Sequence, residues 1–111
     1  MVTASKPKAG CRTPSSADIR LHAADAAALM KALGHEARLV VLCSLAEGEL
    51  SVGELNALVP LSQSALSQQL ARLRRDGLVD TRREAQTVYY SLRPGPADRI
   101  IHLLHEIYCS T

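Results

Sequence analysis

The chain has 111 residues, 47% of them hydrophobic and 22% charged, a length that suits one domain with a modest core. It has three tyrosines but no tryptophan or phenylalanine, so aliphatic side chains must form the core, which favours a mainly α-helical protein over a β-sandwich. The formal net charge of +2 does not by itself indicate a partner. We see no signal peptide or membrane-spanning stretch and expect a cytoplasmic protein without membrane contacts or structural disulfides.

The first fifteen residues are rich in Lys, Pro, Gly, Ser and Thr and contain no apolar run. We therefore predict a disordered tail over residues 1–15 and one folded domain over residues 16–109. Cys11 lies in the tail and is expected to be dispensable.

Two helices are predicted at the start of this domain. The first runs from Ser16, a good N-cap, to Leu33, and its alanine-rich apolar side suits close packing at an interface. The second runs from His35 to Glu47 and is nearly all apolar, so it should be the central buried helix.

Two further helical segments joined by a short turn follow. Ser51 and Glu54 have the spacing of a capping box, which predicts a short helix ending near Leu58. Ser62 is a good N-cap for a longer helix that ends before Gly77. Two helices joined in this way form a helix-turn-helix.

The second helix of this pair carries side chains suited to DNA on its outer face. Leu66, Leu70 and Leu73 recur at helical spacing and form its buried stripe. Hydroxyls and amides can read base edges, and guanidinium groups neutralise phosphates. The predicted DNA-contacting residues of this helix are Gln63, Ser64, Ser67, Gln68 and Arg72, with Arg74 and Arg75 behind them. The alternative is a surface helix that happens to be rich in Gln and Ser.

A β-hairpin is predicted directly after this helix, from two strand-like runs over residues 78–83 and 87–92. A hairpin in this position is a wing, and Arg82, Arg83 and Gln86 are its predicted DNA contacts. The predicted fold is therefore a winged helix-turn-helix with five helices and a β-hairpin wing.

Charge is distributed unevenly along the chain. Residues 14–59 hold three basic and six acidic side chains, whereas residues 60–93 hold six arginines and three acidic side chains. The positive part coincides with the proposed reading helix and wing, as a surface facing phosphates requires.

The last helix is predicted from Pro96, well placed at its first position, to about Tyr108. Its apolar residues are Ile100, Ile101, Leu103, Leu104, Ile107 and Tyr108. This surface is too wide for one core contact, so one side should pack on its own domain and another on a second subunit, which predicts a homodimer.

Four segments resemble the ArsR/SmtB family of bacterial repressors, over roughly residues 17–109. They are Leu33-Gly34-His35-Glu36-Ala37-Arg38-Leu39, Leu61-Ser62-Gln63-Ser64-Ala65-Leu66-Ser67-Gln68-Gln69-Leu70, Asp76-Gly77-Leu78-Val79 and Val88-Tyr89-Tyr90-Ser91-Leu92. The resemblance implies a dimeric winged-helix protein that binds double-stranded operator DNA and is switched by an inducer, often a metal ion. It also implies that the first and last helices form the two-fold interface.

The metal-binding patterns of this family are not found in the sequence. Metal-sensing members carry Cys-x-Cys before the recognition helix, or Asp-x-His with His-x-x-Glu on the last helix. Residues 51–57 contain no cysteine, and the last helix has Asp98, His102, His105 and Glu106 at a different spacing. We therefore predict no metal and no cofactor, with a helical His102, His105 and Cys109 metal site kept as an alternative.

Cys43 and Cys109, with their neighbours, resemble the sulfide- and persulfide-responsive branch of the family. The resemblance implies a redox switch at these two residues, in which reactive sulfur species link the thiols by a di- or polysulfide bridge and the repressor releases its operator. The alternative for Cys43 is a small core hydrophobe. The alternative function is a metal- or metalloid-responsive repressor.

Other function classes find little support in the sequence. A nucleophile with its base, a glycine-rich phosphate loop and an HExxH motif are all missing, so we do not predict an enzyme. A winged helix used only for protein contacts would not need glutamines and serines beside an arginine cluster.

Overall fold

The computed structural model describes residues 16–109. The helices are α1 (Ser16–Leu33), α2 (Glu36–Ser44), α3 (Val52–Leu58), α4 (Gln63–Arg75) and α5 (Pro96–Cys109), and the strands are β1 (Leu50–Ser51), β2 (Val79–Glu84) and β3 (Thr87–Leu92). The predicted tail, with Cys11, lies outside the described residues. Within residues 16–109, none of the helices combines the length and the hydropathy that crossing a membrane requires.

The chain divides into two compact units, one that ends at Ala32 and one that begins at Leu33. The first contains nearly all of α1, whose bounds agree with the prediction. The apolar side chains of Leu21 and Met30 on this helix are exposed. The second unit contains α2 to α5 and all three strands.

Aliphatic side chains from α2, α3, α4, β2 and α5 form the core of the second unit. Fully burying one such side chain contributes roughly 1.5–3 kcal/mol, and among the described residues no charged or polar residue is buried with them. The members with almost no exposed surface are Val41, Leu42, Leu55, Leu66, Leu70, Leu73, Val79 and Ile101.

The helix-turn-helix and its caps agree with the prediction. Ser51 and Glu54 form a capping box: the Glu54 N–H donates to the Ser51 hydroxyl at 3.1 Å, and the Ser51 N–H donates to the Glu54 carboxylate at 2.8 Å. Ser62 caps α4 by accepting from the Ala65 N–H at 3.1 Å. These bonds satisfy N–H groups that a helix start leaves without partners, and so they define where α3 and α4 begin.

α2 is shorter than predicted, because it begins at Glu36 and ends at Ser44. The Leu45 N–H donates to the Leu42 carbonyl at 3.0 Å, and the Ala46 N–H donates to the Cys43 carbonyl at 3.1 Å. Such bonds to the third preceding residue tighten the end of a helix into a turn. The apolar pattern continues through this turn, which is why periodicity alone placed the end too late.

The wing is part of a three-stranded antiparallel sheet with strand order β1-β3-β2. The β2–β3 hairpin was predicted, and β1 was not. β2 begins and ends one residue later than predicted, and Ala85, with φ 57°, makes the turn. All of β3 after Thr87 is half-buried, in part because the Arg82 guanidinium covers the Tyr89 ring at 4.6 Å. The winged helix-turn-helix fold is confirmed.

Candidate DNA-binding surface and thiol cleft

The outer face of α4 presents the polar side chains that were singled out in the sequence. Leu66, Leu70 and Leu73 are buried beneath the helix and determine which face remains outside. The predicted contacts on this helix are all exposed: Gln63, Ser64, Ser67, Gln68 and Arg72. The Ser64 hydroxyl lies 3.4 Å from that of the capping residue Ser62.

A cleft of about 460 Å³ lies between α4 and the sheet. Arg74, Arg75 and Ser67 line it from α4, and Tyr90 lines it from β3. Guanidinium groups and hydroxyls are suited to phosphate oxygens. The sequence predicted Arg74 and Arg75 only as positive charge behind the DNA-reading face of the helix. It did not predict Tyr90 as a residue of this surface, because only tertiary packing brings it to α4.

In the wing, Arg82 forms hydrogen bonds to two carboxylates. Its Nη1 donates to Glu84 at 3.0 Å, and its Nε donates to Glu49, just before β1, at 3.2 Å. The hydrogen bond to Glu49, then that to Glu84, raises the pKa of Arg82, and the same bond to Arg82 lowers the pKa of Glu49. Two carboxylates therefore offset this charge. Arg83 and Gln86 are exposed, and within the described part of the chain Arg83 has no ion pair.

The two predicted switch cysteines line one cleft of about 430 Å³. Cys43 contributes from α2 and is half-buried, while Cys109 contributes from the last turn of α5 and is exposed. Both thiols are free. Burial raises the pKa of Cys43, and the negative charge that Cys109 carries as a thiolate raises it further. The remaining lining residues are Val40, Ser44, Glu47, Leu58 and His105.

Two histidines of α5 contact the turn that follows α2. His105 Nε2 lies 3.5 Å from the Glu47 carboxylate. His102 Nδ1 lies 2.9 Å from the carbonyl and 2.9 Å from the carboxylate of Asp98, and its Nε2 lies 3.0 Å from the Ala46 carbonyl. The hydrogen bond to the Asp98 backbone is the largest cause of a raised pKa of His102, and the Asp98 charge and the Ala46 carbonyl contribute.

The alternative metal site receives no support from this arrangement. Within residues 16–109, no group of three or more His, Cys, Asp and Glu side chains could hold a metal ion. The two histidines are instead engaged in separate contacts to Glu47 and Ala46.

A helix-turn-helix with a polar outer face, flanked by arginines and followed by a wing, defines a DNA-binding transcriptional regulator of the winged-helix class. Comparison with known proteins identifies the family within this class. Residues 35–81 match the family model described as bacterial regulatory protein, arsR family.

Two relatives, HlyU and BigR, cover most of this chain. It is 54% identical to the transcriptional activator HlyU of Vibrio cholerae, over 83% of this chain and 85% of that protein. The solved structure of the transcriptional repressor BigR from Xylella fastidiosa is 40% identical, with a TM-score of 0.80, over 86% of this chain and 95% of BigR. A structure of reduced HlyU from Vibrio cholerae is 55% identical, with a TM-score of 0.74, over 82% and 96% of the two chains. The chain belongs to the ArsR family of bacterial transcriptional regulators.

Proposed function

We propose that this protein is a homodimeric repressor that releases its operator when reactive sulfur species link Cys43 to Cys109. The observation that carries the proposal is the single cleft lined by both thiols, one from α2 and one from α5. Relatives at high identity include a repressor, BigR, and HlyU, which is named an activator. Repression is proposed because BigR is a repressor, and because a repressor that releases its operator allows transcription when the inducer appears.

The DNA-binding surface of the proposal consists of α4 and the wing. Gln63, Ser64, Ser67 and Gln68 would read base edges in the major groove, while Arg72, Arg83 and Gln86 would contact the backbone. Arg82 would support the wing through Glu49 and Glu84 in addition to any phosphate contact. In a two-fold dimer the operator is an imperfect palindrome, with half-sites about one helical turn apart.

The proposed chemistry begins at the exposed thiol. The Cys109 thiolate attacks the sulfane sulfur of a persulfide RSSH, and RSH leaves, so that Cys109 becomes a persulfide. The Cys43 thiolate then attacks the Cys109 Sγ and displaces hydrosulfide, which gives a disulfide. If Cys43 has also received a sulfur atom from a second RSSH, its terminal sulfur makes the same attack and the product is a trisulfide, with two RSH and one H₂S released in all.

The bridge would act through the helices that it joins. α2 packs on the helix-turn-helix, and α5 carries exposed apolar residues suited to a second subunit. Cys43 and Cys109 are 66 residues apart, and closing a loop of that length restricts the chain by roughly 4 kcal/mol on the loop-entropy model. Typical allosteric coupling is about 1–3 kcal/mol, so even partial transfer of this constraint to the dimer would change DNA affinity.

The test uses Cys43→Ser, Cys109→Ser and Cys11→Ser variants on an operator selected from random duplexes. Each variant should bind DNA when reduced, because none of these thiols is on α4 or the wing. Glutathione persulfide should release DNA from the wild type and from Cys11→Ser, but not from the other two. Mass spectrometry should find a bridge between Cys43 and Cys109 in the released protein. Release of DNA from Cys43→Ser or from Cys109→Ser would refute the two-thiol mechanism.

A further inference from the structure

We propose that His105, with the Glu47 carboxylate beside it, is the base that takes the proton from the Cys109 thiol and so prepares it for attack on the sulfur donor. This assignment rests on the proposed function, because it names a residue that serves the same thiol pair. The persulfide chemistry needs a thiolate, since the thiol form is a poor nucleophile.

His105 lies in the same cleft as both thiols. It lines the same cleft as Cys43 and Cys109, and it lies one helical turn before Cys109 on α5. Side chains four residues apart on a helix are neighbours on its surface. The imidazole is only 24% exposed, so the cleft encloses most of it.

Glu47 places a carboxylate beside this imidazole. Its carboxylate lies 3.5 Å from His105 Nε2, which leaves Nδ1 as the other nitrogen that can exchange a proton. A carboxylate in this position stabilises the imidazolium that forms when the ring accepts a proton. Glu47 is itself 82% exposed, so its contribution is expected to be smaller than that of the ring.

The other groups of the cleft are less suited to this role. The Ser44 hydroxyl donates to the Val40 carbonyl at 2.7 Å and is thereby engaged. Val40 and Leu58 carry no titratable group. The titratable groups around His105 are Glu47 and Cys43, from α2 and the turn after it, and Cys109 on α5 itself.

The proton balance of the first step is simple. His105 takes the Cys109 proton, and the thiolate attacks the sulfane sulfur of RSSH with cleavage of its S–S bond. The departing RS⁻ takes the proton from the imidazolium, so that RSH leaves and His105 is neutral again. Cys43 is the slower thiol, because burial disfavours its thiolate.

His102 offers a matched control on the same helix. Like His105, it is a histidine of α5 that contacts the turn after α2. Its ring, however, contacts Asp98 and Ala46 and does not line the cleft. A merely structural effect of losing a histidine from this helix should therefore appear in His102→Gln as well.

The test measures alkylation of Cys109 by iodoacetamide in the full-length protein, followed by peptide mass spectrometry between about pH 5.5 and 9.5. His105→Gln should slow the reaction at pH 7 by about tenfold, below the roughly 10²–10⁴ of a positioned base in an enzyme because the thiol is exposed. Its rate profile should move to higher pH, and Glu47→Gln should give a smaller loss in the same direction. Added imidazole should restore part of the rate in His105→Ala. His102→Gln should stay within about twofold of the wild type.

Two results would overturn the assignment: an unchanged Cys109 rate in His105→Gln, or an equal loss in His102→Gln. DNA binding by each reduced variant establishes that it is folded. Failure of the proposed function looks different, because wild-type protein would then keep its DNA in the presence of persulfide while Cys109 alkylation still depended on His105. That outcome would leave His105 as the base of a reactive thiol and refute the sulfur switch.

Discussion

Arg82 and Arg83 are neighbours in the wing, but their surroundings differ. Arg82 is held by Glu49 and Glu84 and covers the Tyr89 ring, whereas Arg83 is exposed and has no ion pair within the described residues. A phosphate that approaches Arg82 must compete with two carboxylates. The free charge of the wing is therefore concentrated at Arg83, and Arg82 connects the wing to the residue that precedes β1.

Base reading and phosphate contact can be separated at single residues. Gln68→Ala should weaken binding to the preferred operator by about 1–3 kcal/mol and hardly change binding to random duplex, because only base edges carry sequence information. Arg83→Ala should weaken both and reduce the slope of log K against log salt by about one. Fluorescence anisotropy across a salt series measures both quantities. Equal losses on the two DNAs for Gln68→Ala would exclude base reading by this side chain.

At the scale of elements, His102 connects α5 to the turn that follows α2. One ring nitrogen faces Asp98 and the other faces the Ala46 carbonyl. Only the protonated ring can donate from both nitrogens at once. The contact between these elements is therefore strongest when His102 is charged.

This arrangement predicts a pH-dependent contribution to stability. The pKa of His102 is raised above its usual value of about 6.5, chiefly by the Asp98 backbone carbonyl. The contribution is therefore fully present below about pH 6.5 and is lost as the pH rises through the raised value. Thermal unfolding should find the wild type more stable than His102→Gln at pH 5.5, with the difference shrinking towards pH 9. A difference that grows with pH would contradict the assignment.

The elements that were predicted well are those determined by local sequence. Ser51, Glu54 and Ser62 define helix starts by bonds that span three residues, so α3 and α4 were found with their caps. β1 was missed because its two residues are a strand only through pairing with β3. The end of α2 was placed too late because the same apolar residues suit a helix and the turn after it.

The candidate site likewise has residues that could be predicted from the sequence and contacts that could not. The exposed face of α4 followed from the positions of its leucines, and the two cysteines were found by resemblance. The contact between Glu47 and His105 could not be read from the sequence, because it joins residues 58 positions apart. The approach of Tyr90 to Arg74 and Arg75 likewise depends on how the sheet packs on α4.

At the scale of the whole molecule, α5 leaves a large apolar surface uncovered. Leu103 and Ile107 are 53% and 57% exposed and lie on the side of the helix away from the buried Ile101, and Tyr108 in the last turn is 79% exposed. Exposed apolar side chains of this kind indicate a protein partner. A second copy of the chain is the partner that the proposed palindromic operator requires.

Placing a charge on this surface should break the proposed dimer. Ile107→Glu should shift the reduced, DNA-free protein from dimer to monomer at micromolar concentration and weaken operator binding by tenfold or more, since a buried unpaired charge costs several kcal/mol. Glu106→Gln, the adjacent exposed position, is the control and should remain dimeric. Analytical ultracentrifugation measures the change. A wild type that sediments as a monomer would refute the dimer.

The last turn of α5 combines two features, because Cys109 directly follows the exposed Ile107 and Tyr108. In the proposed dimer, the helix that carries the sensing thiol of one subunit therefore also carries the surface on which the other subunit rests. Oxidation of the Cys43–Cys109 pair in one subunit would therefore change the reactivity of the pair in the other subunit. The dose–response curve of such a regulator can be steeper than that of one independent site, with a Hill coefficient of at most about two. A gene under its control would then turn on over a narrow range of sulfur donor concentration.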